Sequence, residues 1–144
     1  MIGMFLLALL ASTSDLDQLS KSLDQNFETL HKSRLSAEQS LQQNGKLSDE
    51  QIKAVRNSVD NANALWIGCL RVGIWKGENS QTPPAVLLDK TFRSCQSRRV
   101  EMSRWVKLTA SVMKFNDSDT EVEKIMAEFE RINRNYATKL LASR

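Results

Sequence analysis

The stretch WIGCLRVGIWKGENSQTPPAVLLDKTFRSCQ, residues 66–96, decides the fold of this 144-residue chain. Its centre, residues 78–84 (ENSQTPP), is the clearest turn region in the sequence, because its two adjacent prolines suit the entry to a helix better than its interior. Upstream, Val55, Val59, Ala62, Trp66, Leu70 and Ile74 recur in steps of three and four, which places them on one helical face. Downstream, Leu88, Phe92, Cys95, Met102, Val106 and Met113 follow a four-three alternation, the spacing of a helix-packing seam, with Arg99 and Thr109 at its remaining positions. Two helices joined by a short turn form an antiparallel hairpin, and residues equidistant from the turn then lie side by side. Cys69 and Cys95 are equidistant from Thr82, so both sulfurs fall at one height, on or beside the apolar stripe. Disulfide pairing requires Cα atoms within about 4.4–6.8 Å, which this register provides. The bridge would stabilise the chain by roughly 3 kcal/mol through loop closure. The competing reading is two buried thiols packed as small apolar groups.

Working outward, the same hairpin logic extends to both ends of the chain. Ser48-Asp49-Glu50-Gln51 is a capping box and marks a helix start after the Asn44-Gly45 stop. Before it, Leu16, Leu19, Leu23, Phe27, Leu30, Ala37 and Leu41 form a helical face in a segment otherwise rich in Ser, Gln and charge. About the Gly45 turn, Phe27 is level with Trp66, Leu23 with Leu70 and Leu19 with Ile74. A second box, Ser118-Asp119-Thr120-Glu121, opens a last helix with Val122, Ile125, Phe129, Ile132, Tyr136 and Leu140 as its seam. The expected architecture is all-α: an antiparallel up-down four-helix bundle with helices over 15–44, 49–76, 84–115 and 119–142. At 1.5 Å per residue each is about 40 Å long. Five glycines and two prolines in the whole chain leave few breakers, and 41% hydrophobic residues suffice for a core.

Residues 1–11, MIGMFLLALLA, carry no charge and are too few to cross a bilayer, which needs about 20 residues. They match the apolar region of a signal peptide over 1–14, with small residues at Ala11–Ser14 for cleavage, leaving a single mature domain of 15–144. No Lys or Arg precedes the run, and the other reading is a buried first turn in a cytoplasmic protein. The expected location is periplasmic or secreted, with no transmembrane segment in the mature chain.

The pattern Trp66-x-x-Cys69, a loop, then Phe92-Arg93-Ser94-Cys95-Gln96 resembles one found in small exported two-cysteine helical proteins of bacteria. It is similar in outline to lysozyme-inhibitor-like helical domains, which carry more cysteines. The resemblance covers about thirty residues. It implies export and a disulfide, and it transfers no site residue.

Motifs that demand a particular chemistry are absent. His31 is the only histidine, falls beside Leu30 just off the apolar face, and is expected to be exposed. No glycine-rich nucleophile turn, Gly-x-Gly phosphate loop or Cys-x-x-Cys occurs, so no catalytic residue, cofactor or metal site is expected. Arg99, on the seam, is either an anion site inside the bundle or an arginine whose stem lies along the seam while its head meets an acid. Lys90, Arg93, Arg104, Lys107 and Lys114 form a basic stripe on the third helix. Such a stripe can meet nucleic acid or an anionic surface, or pair with acids of neighbouring helices, as Asp60 is placed to do with Arg104. Trp75, near the turn, is a candidate partner anchor. The net charge of +3 requires no anionic partner. The expectation is a non-enzymatic protein acting through an unidentified protein partner. The alternative is a cytosolic basic module binding nucleic acid or anionic surfaces through the third helix.

Overall fold

The computed structural model describes residues 13–143, with no strand among them. The apolar leader expected over 1–14 therefore lies almost wholly outside the described residues. Five helices follow one another: α1 (Thr13–Asn44), α2 (Asp49–Lys76), α3 (Pro84–Ser94), α4 (Gln96–Val112) and α5 (Asp119–Ala142).

The starts and stops follow local chemistry. Ser48 Oγ accepts from the Gln51 N–H at 3.1 Å and Gln51 Oε1 accepts from the Ser48 N–H at 3.0 Å, so the first capping box is complete. The second is half made: Ser118 Oγ accepts from Glu121 N–H, but the Ser118 N–H donates to Asn116 Oδ1 instead of Glu121. Gly45 takes φ +67°, the left-handed conformation that ends α1.

The expected third helix of 84–115 is corrected in two places. It breaks at Cys95 (φ −98°, ψ 12°), the one residue between α3 and α4 and the residue tied to α2 by the disulfide. It also ends at Val112 rather than Phe115. The Phe115 N–H donates to Ala110 O and the Lys114 N–H to Ser111 O, a Schellman cap with Lys114 at φ 58° where glycine is usual.

Helix α2 is the axis of the fold, in contact with every other helix. Its Trp66, Leu70 and Ile74 build the core with Met102 and Trp105 of α4, and α5 closes it with Met126 and Ala137. The pair α2–α4 lies in the middle, with α1 on one side and α5 on the other; α1 and α5 do not touch.

The faces buried on the outer helices differ from the sequence expectation. In α5 the buried residues are Val122, Met126, Asn133, Ala137 and Leu141, while the seam residues Ile125 and Ile132 are exposed. With α1 beyond reach, nothing covers that half of the seam, and the small Ala137 and the Asn133–Asn63 hydrogen bond (2.9 Å) face the core instead. In α1 only Leu16, Arg34 and Ala37 are buried among the described residues, and Leu19, expected against Ile74, is exposed.

Candidate functional site: a buried ion cluster and an open groove

Two features of α1 stand out, one on each flank. On the flank facing α4, Arg34 is buried to 2% exposure and Glu101 to 3%. The guanidinium forks onto the carboxylate: Nε donates to Glu101 Oε1 at 2.9 Å and Nη2 to Oε2 at 3.0 Å. Arg34 Nη1 also donates to Glu38 Oε1 at 2.8 Å. His31 Nδ1 lies 3.1 Å from Glu101 Oε2 and 3.2 Å from Arg34 Nη2. Burial alone would push the Glu101 carboxyl up, but the hydrogen bonds and charge of Arg34, with His31, outweigh it and hold the group below its ordinary value. Burial likewise opposes the Arg34 charge, and the Glu101 and Glu38 carboxylates reverse that effect and hold its pKa above the ordinary value. The His31 ring stacks on Phe27, with centroids 6.3 Å apart, and the Arg98 guanidinium lies 3.8 Å from the Phe27 centroid. Arg98 in turn pairs with Asp24, tying α4 to α1 a second time.

His31 is thus half-buried and engaged, which corrects the expectation of an exposed side chain. The helix stripe passes closer to it than the leucine pattern indicated, because Arg34, one turn on, belongs to the buried face. Among the described residues no hydroxyl or thiol is hydrogen-bonded to His31, so the arrangement holds no nucleophile for it to activate. What the cluster does chemically is balance charge across the α1–α4 seam.

On the other flank of α1 an open groove runs between α1 and α2. About 100° separates consecutive side chains of a helix, so Ser33, Ser36 and Ser40 point away from the Arg34 side. The groove consists of two adjoining cavities of about 1160 and 690 Å³ that share Ser33, Glu50 and Ala54. Leu23, Leu30, Ala54, Ala64 and Leu65 supply the apolar lining of its middle, and Ser, Thr and Asn side chains with Glu50 and Lys53 supply the rest.

The residues singled out in the sequence are dispersed. Cys69 and Cys95 are bonded, with Cα atoms 5.9 Å apart. Arg99 joins α4 to α5, with Nη2 2.6 Å from Glu123 Oε1 and Nε 2.9 Å from Glu130 Oε2. Lys107 Nζ meets Asp119 Oδ1 at 2.6 Å. Lys90, Arg93 and Arg104 are exposed and make no ion pair among the described residues. Arg104 and Asp60 are both exposed and form no ion pair with each other. Trp75 is half-buried rather than presented to solvent.

The Arg34–Glu101 pair was missed, although two signals were present. Arg34 fills the gap in the run Leu30, Ala37, Leu41, and Glu101 lies in the second alternation Glu101, Trp105, Leu108, Val112. Reading only the apolar members of each stripe hides a charge that shares the stripe. Among the described residues, no helix is long and apolar enough to cross a membrane, and no three His, Cys, Asp or Glu side chains gather closely enough to hold a metal ion. Comparisons with protein-family models, with curated proteins and with solved structures returned no match.

Proposed function

We propose that this chain is an exported helical domain that works by protein–protein contact rather than catalysis, as an inhibitor, adaptor or accessory factor. The observation that carries the reading is the groove between α1 and α2: its Lys and acidic side chains balance, and Ser, Thr and Asn side chains line it together with Leu23, Leu30, Leu47 and Leu65. A surface of that make-up suits the side of another helix better than a charged small molecule. The Cys69–Cys95 bridge favours an oxidising compartment. The resemblance of the two-cysteine stretch to small exported bacterial proteins points the same way. In this reading residues 1–14 are removed on export, residues 15–144 act as one domain, and α3 with α4 serves as one bent helix of an up-down four-helix bundle.

The test is made on native material. N-terminal sequencing should place the first residue within 12–15, and mass spectrometry should find no free thiol. An intact leader together with two free thiols would end the export reading.

The unpaired Lys90, Arg93 and Arg104 support a second reading, in which the outward ridge of α3 and α4 binds a polyanion. That reading requires binding that weakens steeply with salt. A chain that ignores DNA, RNA and anionic vesicles at low salt rules it out.

A further inference from the structure

We infer that the α1–α2 groove is the seat of a second copy of this chain, two hairpins packing face to face about a two-fold axis. The inference rests on the groove being the contact surface and names its occupant. The argument is one of self-complementarity. In a two-fold interface each patch meets itself, so a face of one charge sign repels its own copy. The ridge carrying Lys90, Arg93 and Arg104 is excluded on that ground.

The groove does not carry this penalty. Its middle is lined by Asn26, Ser33, Asn57 and Asn61, whose amides and hydroxyls are each both donor and acceptor and so can pair with their own copies. Its charges are confined to the α1–α2 turn and the start of α2, where Lys46 and Lys53 balance Asp49 and Glu50. In a chain with 26% charged residues, a neutral face of this length is suited to meet itself. Beneath it lie Leu23, Leu30, Ala54 and Leu65, and the exposed Leu19 sits one turn before Leu23 on the same flank.

The size is adequate for a modest affinity. The groove follows α1 from Leu23 to Asn44, about 32 Å at 1.5 Å per residue, and two helices side by side are roughly 20 Å wide. The footprint of roughly 600 Å² is somewhat under the 800 Å² per partner of a standard stable interface. Two antiparallel hairpins meeting on such faces would form a four-helix arrangement between copies. It would also add to the cover of α1, which within one chain packs mainly on α2 with lighter contact to α4.

Sedimentation equilibrium on the disulfide-intact chain, from low to several hundred micromolar, tests this directly. The expected result is a monomer–dimer equilibrium with a micromolar dissociation constant. Ser33→Glu with Asn57→Glu should weaken it more than about tenfold, as should Ser33→Lys with Asn57→Lys, because each places like charges across the two-fold. Mixing the two variants should restore association as a heterodimer. Arg104→Glu, on the outward ridge, should change nothing. A monomer throughout, a dimer indifferent to these substitutions, or variants that stay apart when mixed would each overturn the proposal. The cleavage and thiol measurements on native material are independent of sedimentation, so the export reading and the dimer can fail separately.

Discussion

Helix α2 takes part in two hairpins, and they are held by different physics. Its pairing with α3 and α4 is covalent and apolar: Cys69–Cys95 ties it, Trp66 meets Phe92 edge-on with centroids 6.2 Å apart, and Gly73 lies directly under Thr91. Its pairing with α1 runs along half-buried leucines and polar links, such as Gln51 Nε2 to Ser40 Oγ at 2.8 Å and Lys76 to Asp17 at 3.4 Å, while α4 reaches α1 through the buried Arg34–Glu101 pair. Apolar packing is non-directional and tolerates small displacements. A buried ion pair is directional, and each partner is costly to leave alone. The chain therefore has one half clamped by a disulfide and a second half held by partly buried leucines, Ala37 and a buried ion pair.

The largest break in this contrast should come from Arg34→Met. It leaves the Glu101 carboxylate buried without its guanidinium and should cost about 3–5 kcal/mol in denaturant unfolding. Adding Glu101→Leu should recover most of that loss, because an apolar pair of similar volume needs no partner. Acid should act on the same contact. The folded-state pKa of Glu101 lies below its unfolded value, so the unfolded chain takes up the proton first. The pair's contribution is fully present above the unfolded pKa and is lost as pH falls through the folded one. As pH falls through that range, the wild-type midpoint should drop relative to that of the Arg34→Met, Glu101→Leu double variant, which lacks the titrating group.

Removing the clamp with Cys69→Ala and Cys95→Ala should cost roughly 3 kcal/mol, read from the same unfolding curves. It should raise amide exchange in α3 more than in α1, whereas Arg34→Met should do the reverse. Gly73→Ala tests the closeness of the clamped half. A Cβ there would sit 2.6 Å from Thr91 Cγ2, and overpacking of this kind costs about 1–3 kcal/mol. Ser48→Ala should have the smallest effect, about 1 kcal/mol, by removing the cap of α2. A larger loss there would mean that the α1–α2 turn carries more of the fold than its contacts indicate.

The legible part of the fold was local. Ser48 with Gln51 marked a helix start, Gly45 a stop, and Cys69 with Cys95 a hairpin register, because each depends on residues a few positions apart or on symmetry about one turn. The candidate site was only half legible. The Ser- and Asn-rich flank of α1 could be read as the side without a core role, but neither the groove nor its continuity into α2 could. Arg34 and Glu101 are 67 residues apart, and nothing in either neighbourhood names the other.

By itself, the sequence determined the helical class, the position of most helix ends and the pairing of the two cysteines, since capping chemistry, apolar period and turn spacing act within a few residues. Tertiary packing alone decided the break at Cys95, the rotation of α5 that exposes Ile125 and Ile132, and the burial of Arg34 against Glu101. An amphipathic stripe specifies that a helix must be covered on one side. Which neighbour covers it, and at what rotation, is settled by how all the helices share one core.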